Sequence, residues 1–311
     1  MDYLVTGGAG FIGSNIVRHL VAQGKSVRVL DNLASGRMTN IQDLLGKIHF
    51  IEGDIRNPET ARTAANGVTN VLHLAAMPSV QRSVQDPVMA DQVNIGGTLN
   101  MLVAARDAGV RRFVFSSSSS VYGDTPELPK REDMLPMPLS PYAVQKLAGE
   151  HYCRIFRGLY GLPAYVLRYF NVFGPRQNPK SQYAAVIPLF IQAIGRNKPP
   201  TIHGDGEQTR DFTFVEDVVR ANLCCCEAPE SAAGDVYNVA CGTRISINEL
   251  AETIARLLKK DIRALHDAAA PGDVRDSQGD SSKARRVLSW NWKVSFEDGL
   301  RATIDYFAGQ E

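Results

Sequence analysis

A doubly wound parallel α/β sheet with a smaller, partly interleaved C-terminal lobe is the fold class this sequence predicts, on three observations. The first is YLVTGGAGFIG at residues 3 to 13, an apolar strand that runs directly into glycines at 7, 10 and 13 and then into a helical pattern. The second is the alternation of strand-like and helix-like segments that continues as far as Phe173. The third is a change of character beyond that point, where a long polar loop, short strands and separate helices replace the alternation.

Each element has its own reason. Gly7 permits a tight turn, Gly10 lets backbone approach a pyrophosphate at a helix N-terminus, and Gly13 allows close packing of helix on strand, with Phe11 and Ile12 in the same turn. The helix after them carries Ile12, Ile16, Val17, Leu20 and Val21 on one face. VRVLD supplies the second strand and ends in Asp31, at the separation expected of the ribose-binding acid in a Rossmann-type site. A carboxylate there accepts hydrogen bonds from the ribose hydroxyls and repels a 2′-phosphate. NAD is therefore expected rather than NADP, with Arg37 as the contrary signal.

KIHFIEGDI and VTNVLHLAA read as the third and fourth strands around an amphipathic helix at 58 to 66. A helical pattern from Met89 to Ala108, the strand VRRFVFSS, the long helix SPYAVQKLAGEHYCRIFRGLY and the strand PAYVLRYFNVF complete the winding. The polar loop that follows is expected to close over a substrate, across residues 173 to 183. Beyond it come a helix from Val186 to Gly195, a strand and turn in TIHGDGEQTRDFTF, a helix from about Val215, and DVYNVA as a strand returning to the main sheet. Ser246 with Glu249, and Ser295 ahead of Glu297 and Asp298, predict capped N-termini for the last two amphipathic helices.

Composition excludes several classes. The 311 residues are 44% hydrophobic and 22% charged, as in an ordinary soluble enzyme. Thirty-four basic against 33 acidic residues leave a net charge of +1, so no field favours nucleic acid. No apolar run approaches the length of a membrane span or a secretory signal, and a cytoplasmic location is expected. Five cysteines, three of them contiguous at 224 to 226, and six scattered histidines show no metal-ligand spacing, so no metal site is expected.

Chemistry enters with Tyr142 and Lys146, four residues apart and so on one helical face. A free phenol titrates near pH 10, but an adjacent ammonium favours the phenolate and a bound nicotinamide cation favours it further. The pair is thus expected to take a hydroxyl proton near neutrality, with the Ser118 hydroxyl at the end of the fifth strand sharing the reacting oxygen.

The motifs together resemble the extended short-chain dehydrogenase/reductase family, and within it the nucleotide-sugar 4-epimerases, over nearly the whole chain. They are TGGAGFIGS at 6 to 14, LDN at 30 to 32, GDI at 53 to 55, HLAA at 73 to 76, Asn94 in QVNIGGTLN, FSSSSSVYG at 115 to 123, PYAVQK at 141 to 146 and LRYFNVFGPRQ at 167 to 177. The resemblance implies a catalytic set of Ser118, Tyr142 and Lys146. It implies cofactor contacts from Asn32, Asp54, Ile55, Leu74, Ala75, Ala76, Asn94, Ser116 and Tyr169 beside the glycine turn. It assigns the substrate to Asn171 and Arg210 at the phosphates, Asp273 and Arg275 at the uridine ribose and pyrophosphate, Val186 and Ile187 at the uracil, and Ser277 beside the sugar. Residues 1-172 form the NAD-binding domain on this view, its sheet completed by segments near 211-240, and 173-311 mainly the nucleotide-sugar lobe. A UDP-sugar substrate and a homodimer joined through the helices near 90 to 108 and 141 to 160 are implied as well.

Departures narrow the activity. The related 4,6-dehydratases carry an Asp-Glu pair where this chain has Ser119 and Ser120, which speaks against elimination, and decarboxylases keep a glutamate at the second position. Ser277 stands where a tyrosine is associated with exclusion of N-acetylated sugars, so UDP-N-acetylglucosamine is expected beside UDP-glucose. Pro78 replaces a lysine frequent in the galactose epimerases, which keeps a UDP-glucuronate 4-epimerase in contention. A reductase using exchangeable NADPH is opposed by Asp31, and a non-enzymatic binding role by the intact Tyr142 and Lys146.

Overall fold

The structure, a computed structural model, describes residues 1–178, 186–268 and 275–309. Its strands are β1 (Tyr3–Thr6), β2 (Val27–Asp31), β3 (Ile48–Glu52), β4 (Asn70–His73), β5 (Arg112–Ser118), β6 (Ala164–Tyr169), β7 (Val172–Phe173), β8 (Thr201–His203), β9 (Thr209–Arg210), β10 (Thr213–Phe214), β11 (Val236–Val239), β12 (Ile245–Ser246) and β13 (Leu265–Asp267). Helices α1 (Phe11–Ala22), α2 (Pro58–Ala65), α3 (Val80–Gln85), α4 (Pro87–Asp91), α5 (Thr98–Asp107) and α6 (Pro141–Tyr160) precede α7 (Val186–Gly195), α8 (Val215–Glu227), α9 (Ile247–Leu257), α10 (Ser282–Leu288) and α11 (Phe296–Ala308).

Seven strands form one parallel sheet in the order β11-β6-β5-β4-β1-β2-β3. The winding reverses at β1, which pairs with both β2 and β4, and this switch point opens a crevice at the carboxyl ends of the strands. Both faces are covered, as a parallel sheet requires. On one, Val17 and Leu20 of α1 and Val218 and Cys225 of α8 pack with Val29, Val114 and Leu167. On the other, Ala61 of α2, Met101 of α5 and Phe156 of α6 pack with Leu4, Val71 and Phe113. A third core joins Ile191 of α7, Leu250 and Ile254 of α9 and Leu300 of α11 to Phe173 and Phe214, and this smaller lobe stands over the end of the sheet.

The predicted caps are present. Ser246 accepts the Glu249 amide while the Glu249 carboxylate accepts the Ser246 amide, and Ser295 accepts the Asp298 amide. Two elements differ from the sequence reading. The sixth strand stops at Tyr169 and resumes as β7, because Asn171 takes φ +30° and turns the chain toward the lobe. The helix read from Met89 to Ala108 is broken by a π-helical segment, Gln92–Gly97, where Gly97 lies so close to Ile55 that a Cβ would stand 2.5 Å from its Cδ1. The loop expected to cover the site is described only as far as Asn178; residues 179 to 183 lie outside the described residues.

Candidate active site

Two adjoining cavities occupy the crevice. The first, about 410 Å³, lies over the ends of β1, β2 and β4. Of the predicted cofactor contacts, Gly7, Gly10, Phe11, Ile12, Gly13, Asp31, Asn32, Asp54, Ile55, Leu74, Ala75, Ala76, Ser116, Tyr142, Lys146 and Tyr169 line it. Asn94 does not, because its side chain is committed within the protein: its carbonyl accepts the Met77 amide at 2.8 Å and its amide donates to Gln145 Oε1 at 2.8 Å.

Backbone builds this cavity's anion-facing wall. α1 begins with neither a side-chain cap nor an acidic residue in its first turn, which leaves its leading amides for a ligand anion. A Cβ on Gly13 would stand 2.2 Å from the Gly7 carbonyl oxygen, and one on Gly7 would stand 2.8 Å from the Ala75 nitrogen. At the far end Asp31 accepts the Ala9 amide at 2.9 Å and the Leu33 amide at 2.8 Å. Burial nevertheless raises its carboxyl above the usual range, and among the described residues no cation pairs with it. Asp54 is different: hydrogen bonds from Arg56 and Asn32 hold it down at about 2. Arg82 and Arg176 also line this cavity; Arg176 sits within the quoted LRYFNVFGPRQ, whereas Arg82 belongs to no motif.

The second cavity, about 390 Å³, shares Ile12, Pro78, Ser117, Tyr142 and Tyr169 with the first. Of the residues expected at the substrate, Ser118, Tyr142, Asn171, Arg210 and Ser277 line it. Three other predicted residues, Val186, Ile187 and Arg275, line neither described cavity. Ile187 is 1% exposed in the lobe core and Val186 packs against that core, so neither lines a described cavity. Arg275 points to solvent and forms a bidentate pair with Asp205, both contacts at 3.0 Å. Asp273 lies outside the described residues. Sequence reasoning did not single out Lys130, Tyr122 and Asp276, which also line this cavity; Tyr122 lies within the quoted FSSSSSVYG run, whereas Lys130 and Asp276 come from irregular segments.

At the junction Tyr142 is hydrogen-bonded to Ser118. Lys146 donates to the Ser116 carbonyl at 2.7 Å, with its ammonium 5.8 Å from the Tyr142 ring centre. The Ser116 hydroxyl and Tyr169 Oη are 3.0 Å apart, which joins the two strands below the pair. Burial dominates the electrostatics here. Burial pushes Tyr142 up to about 12, against the smaller opposing effect of the Ser118 hydrogen bond, and pushes Lys146 down to about 8. Desolvation is thus the largest influence on both groups, and without a further cation at the junction it favours the protonated phenol of Tyr142. One turn beyond Lys146, Glu150 accepts from Arg168 at 2.9 and 2.6 Å and from Ser117, and its charge opposes the loss of the lysine proton.

The match to known proteins follows this geometry. A model of the NAD dependent epimerase/dehydratase family matches residues 3–240. The chain belongs to that family. It is 40% identical over 311 residues to the UDP-glucose 4-epimerase of Mycolicibacterium smegmatis, covering 99% of this chain and 98% of the relative. Among solved structures, a UDP-N-acetylglucosamine 4-epimerase from Methanobrevibacter ruminantium, in complex with UDP-N-acetylmuramic acid, superimposes with a TM-score of 0.95 at 40% identity over 100% of this chain and 99% of that one. The UDP-glucuronic acid 4-epimerase of Bacillus cereus, in complex with UDP-glucuronic acid and NAD, gives 0.92 at 34% identity over 100% of both chains.

The epimerase/dehydratase cradle fits NAD on its own geometry: glycines that no Cβ can replace, an uncapped helix start, and a buried carboxylate opposed to further negative charge. Among the described residues no group of three or more His, Cys, Asp or Glu is placed to hold a metal ion, and no helix is long and apolar enough to cross a membrane.

Proposed function

We propose that this protein is an NAD-dependent 4-epimerase of UDP-hexoses, acting on UDP-glucose and UDP-galactose and also on their 2-acetamido counterparts. The observation that carries the reading is the meeting of the two cavities at Tyr142, beside Ser118, with no acid-base pair for elimination among the described lining residues. Asp276 is the one carboxylate among the described lining residues of the second cavity, and it is occupied by Arg244 at 2.7 Å.

When bound, NAD supplies a positive charge and a two-electron acceptor that returns what it takes. Gly7, Gly10, Gly13, Asp31 and Lys146 would hold it, since all line the first cavity. Any cation added to the junction draws Tyr142 down from about 12, so the tyrosine becomes a base only in the loaded site. Tyr142 then takes the proton of the sugar 4-hydroxyl as C4 is oxidised, Ser118 hydrogen-bonds the same oxygen, and Tyr142 returns the proton once C4 is reduced on its opposite face. Arg210 and Asn171 hold the diphosphate throughout, which lets the sugar ring turn without loss of the intermediate ketone. Ser277, small and beside the sugar, leaves room for an acetamido group.

A second reading, UDP-glucuronate as the preferred substrate, is favoured by Lys130. This buried ammonium lines the sugar cavity and donates to the carbonyl and hydroxyl of Thr125, and among the described residues no carboxylate pairs with it. The homodimer is also part of the proposal: α6 exposes Val144, Ile155, Leu159 and Tyr160, an apolar surface suited to a second copy. Light scattering after gel filtration reads its mass directly.

The test is incubation of purified protein with UDP-glucose, UDP-N-acetylglucosamine and UDP-glucuronate separately, with products resolved by anion exchange and proton NMR. The 4-epimer at unchanged mass is expected from the first two. A product lighter by water or carbon dioxide contradicts the reading, and turnover of UDP-glucuronate alone selects the second one.

A further inference from the structure

Asp211 is fully buried between β9 and β10, yet it neither faces a cavity nor pairs with a cation among the described residues. Its carboxylate instead accepts four backbone amides. Oδ1 takes Cys241 N at 3.0 Å, Oδ2 takes Gly242 N at 2.9 Å and Gly279 N at 3.0 Å, and the Thr243 amide completes the set. Burial lifts the carboxyl to about 6, which leaves it ionised at neutral pH and able to accept all four.

These bonds tie together the segments that carry the sugar-facing side chains. Arg210 immediately precedes Asp211. Ser277 lies two residues before Gly279, on a segment that runs beside β9 through Thr209 N to Arg275 O at 3.1 Å and Ser277 N to Thr209 O at 3.0 Å. The Asp211 carbonyl also accepts Asn171 Nδ2 at 3.1 Å, and the same amide reaches Ser277 Oγ at 3.1 Å. Gly279 itself cannot be displaced inward, since a Cβ there would stand 2.5 Å from Ala240 Cβ. One carboxylate therefore fixes the spacing of Arg210, Asn171 and Ser277 without touching the cavity they line.

We propose that Asp211 is a positioning residue for the UDP-sugar: its carboxylate clasps the β11 turn and the 275–279 segment so that Arg210, Asn171 and Ser277 converge on one ligand. This rests on the proposed reading of the second cavity as the UDP-sugar site. Asp211→Asn keeps the size but sets an amide NH₂ against amides that need an acceptor.

The test is calorimetric titration of UDP into wild type and Asp211→Asn, with kcat, KM and the NAD absorbance of each protein. UDP affinity is expected to fall about tenfold or more, with KM rising in step while kcat and NAD content stay near wild type. Wild-type UDP affinity in the variant overturns the proposal, as does a parallel loss of kcat, NAD and UDP binding, which marks a general structural role. A wild-type protein that binds no UDP overturns the site reading and this inference together. If the variant does not fold, amide exchange in the wild type decides. Strong protection of Cys241, Gly242 and Gly279, deepened by UDP, supports the clasp; exchange as fast as in exposed loops overturns it.

Discussion

The two halves of the crevice are built from different materials. The half proposed for the nucleotide is backbone: at Gly7 and Gly13 main chain lies so close to main chain that a single methyl group does not fit. The half proposed for the sugar is side chain, with Ser118, Ser119, Ser120, Ser277 and Lys130 around the cavity. A backbone cradle accepts one ligand class and tolerates little change. A side-chain cavity over the same sheet can be retuned residue by residue, so relatives that share the cradle differ in sugar.

Four perturbations bear on that contrast. Tyr142→Phe removes the one base both halves share, and kcat is expected to fall about 10²–10⁴-fold with NAD retained, read by steady-state kinetics and the absorbance of the bound cofactor. Retained activity would separate the junction from the chemistry. Gly13→Ala attacks the backbone half. The Cβ, 2.2 Å from the Gly7 oxygen, is expected to cost about 1–3 kcal/mol of stability in urea titration and to strip the cofactor. A variant that binds NAD normally would mean the cradle is looser than its geometry.

Ser277→Tyr tests the tunable half. Turnover of UDP-N-acetylglucosamine is expected to drop about 10–200-fold relative to UDP-glucose, with the melting temperature unchanged. Equal loss on both sugars would place Ser277 in general binding rather than in selectivity.

The smallest effect concerns protons. Lys146 is held at about 8, against 10.5 for an ordinary lysine, by burial. From pH 8 upward toward the ordinary value the unfolded chain keeps a proton that the folded chain has lost, so stability rises with pH across that window. Below it the cost of burying the charge is fully present. The buried cysteines act the other way over the same window, so the difference between the proteins is what reads Lys146: cofactor-free wild type should gain about 1–3 kcal/mol relative to Lys146→Met across it, in denaturant titrations at several pH values. An identical slope in both proteins would move the titration elsewhere.

The same contrast explains what the sequence made legible. The cradle is local: strand, glycine turn, helix and Asp31 follow one another within a single β-α-β unit, so spacing alone located them. The caps at Ser246 and Ser295 are local too, as is the four-residue step from Tyr142 to Lys146. The sugar half is not. Asp211 gathers amides from residues 241, 242 and 279, and Lys130 enters the cavity from a loop with no periodic pattern. The resemblance implies a pocket position for Ile187, yet the apolar face of α7 turns it into the lobe core. Asn171 breaks a run of strand-favouring residues because its side chain is required at Asp211 and Ser277, a demand only the folded chain imposes.

The central claim is transient oxidation at C4 with return of the same hydrogen. It is tested most directly with UDP-glucose carrying deuterium at C4 of the sugar, incubated with the enzyme in ordinary water and followed by NMR. The account predicts UDP-galactose with the deuterium still at C4 and at unchanged mass. Loss of the label to solvent, or a product lighter by water, would contradict it.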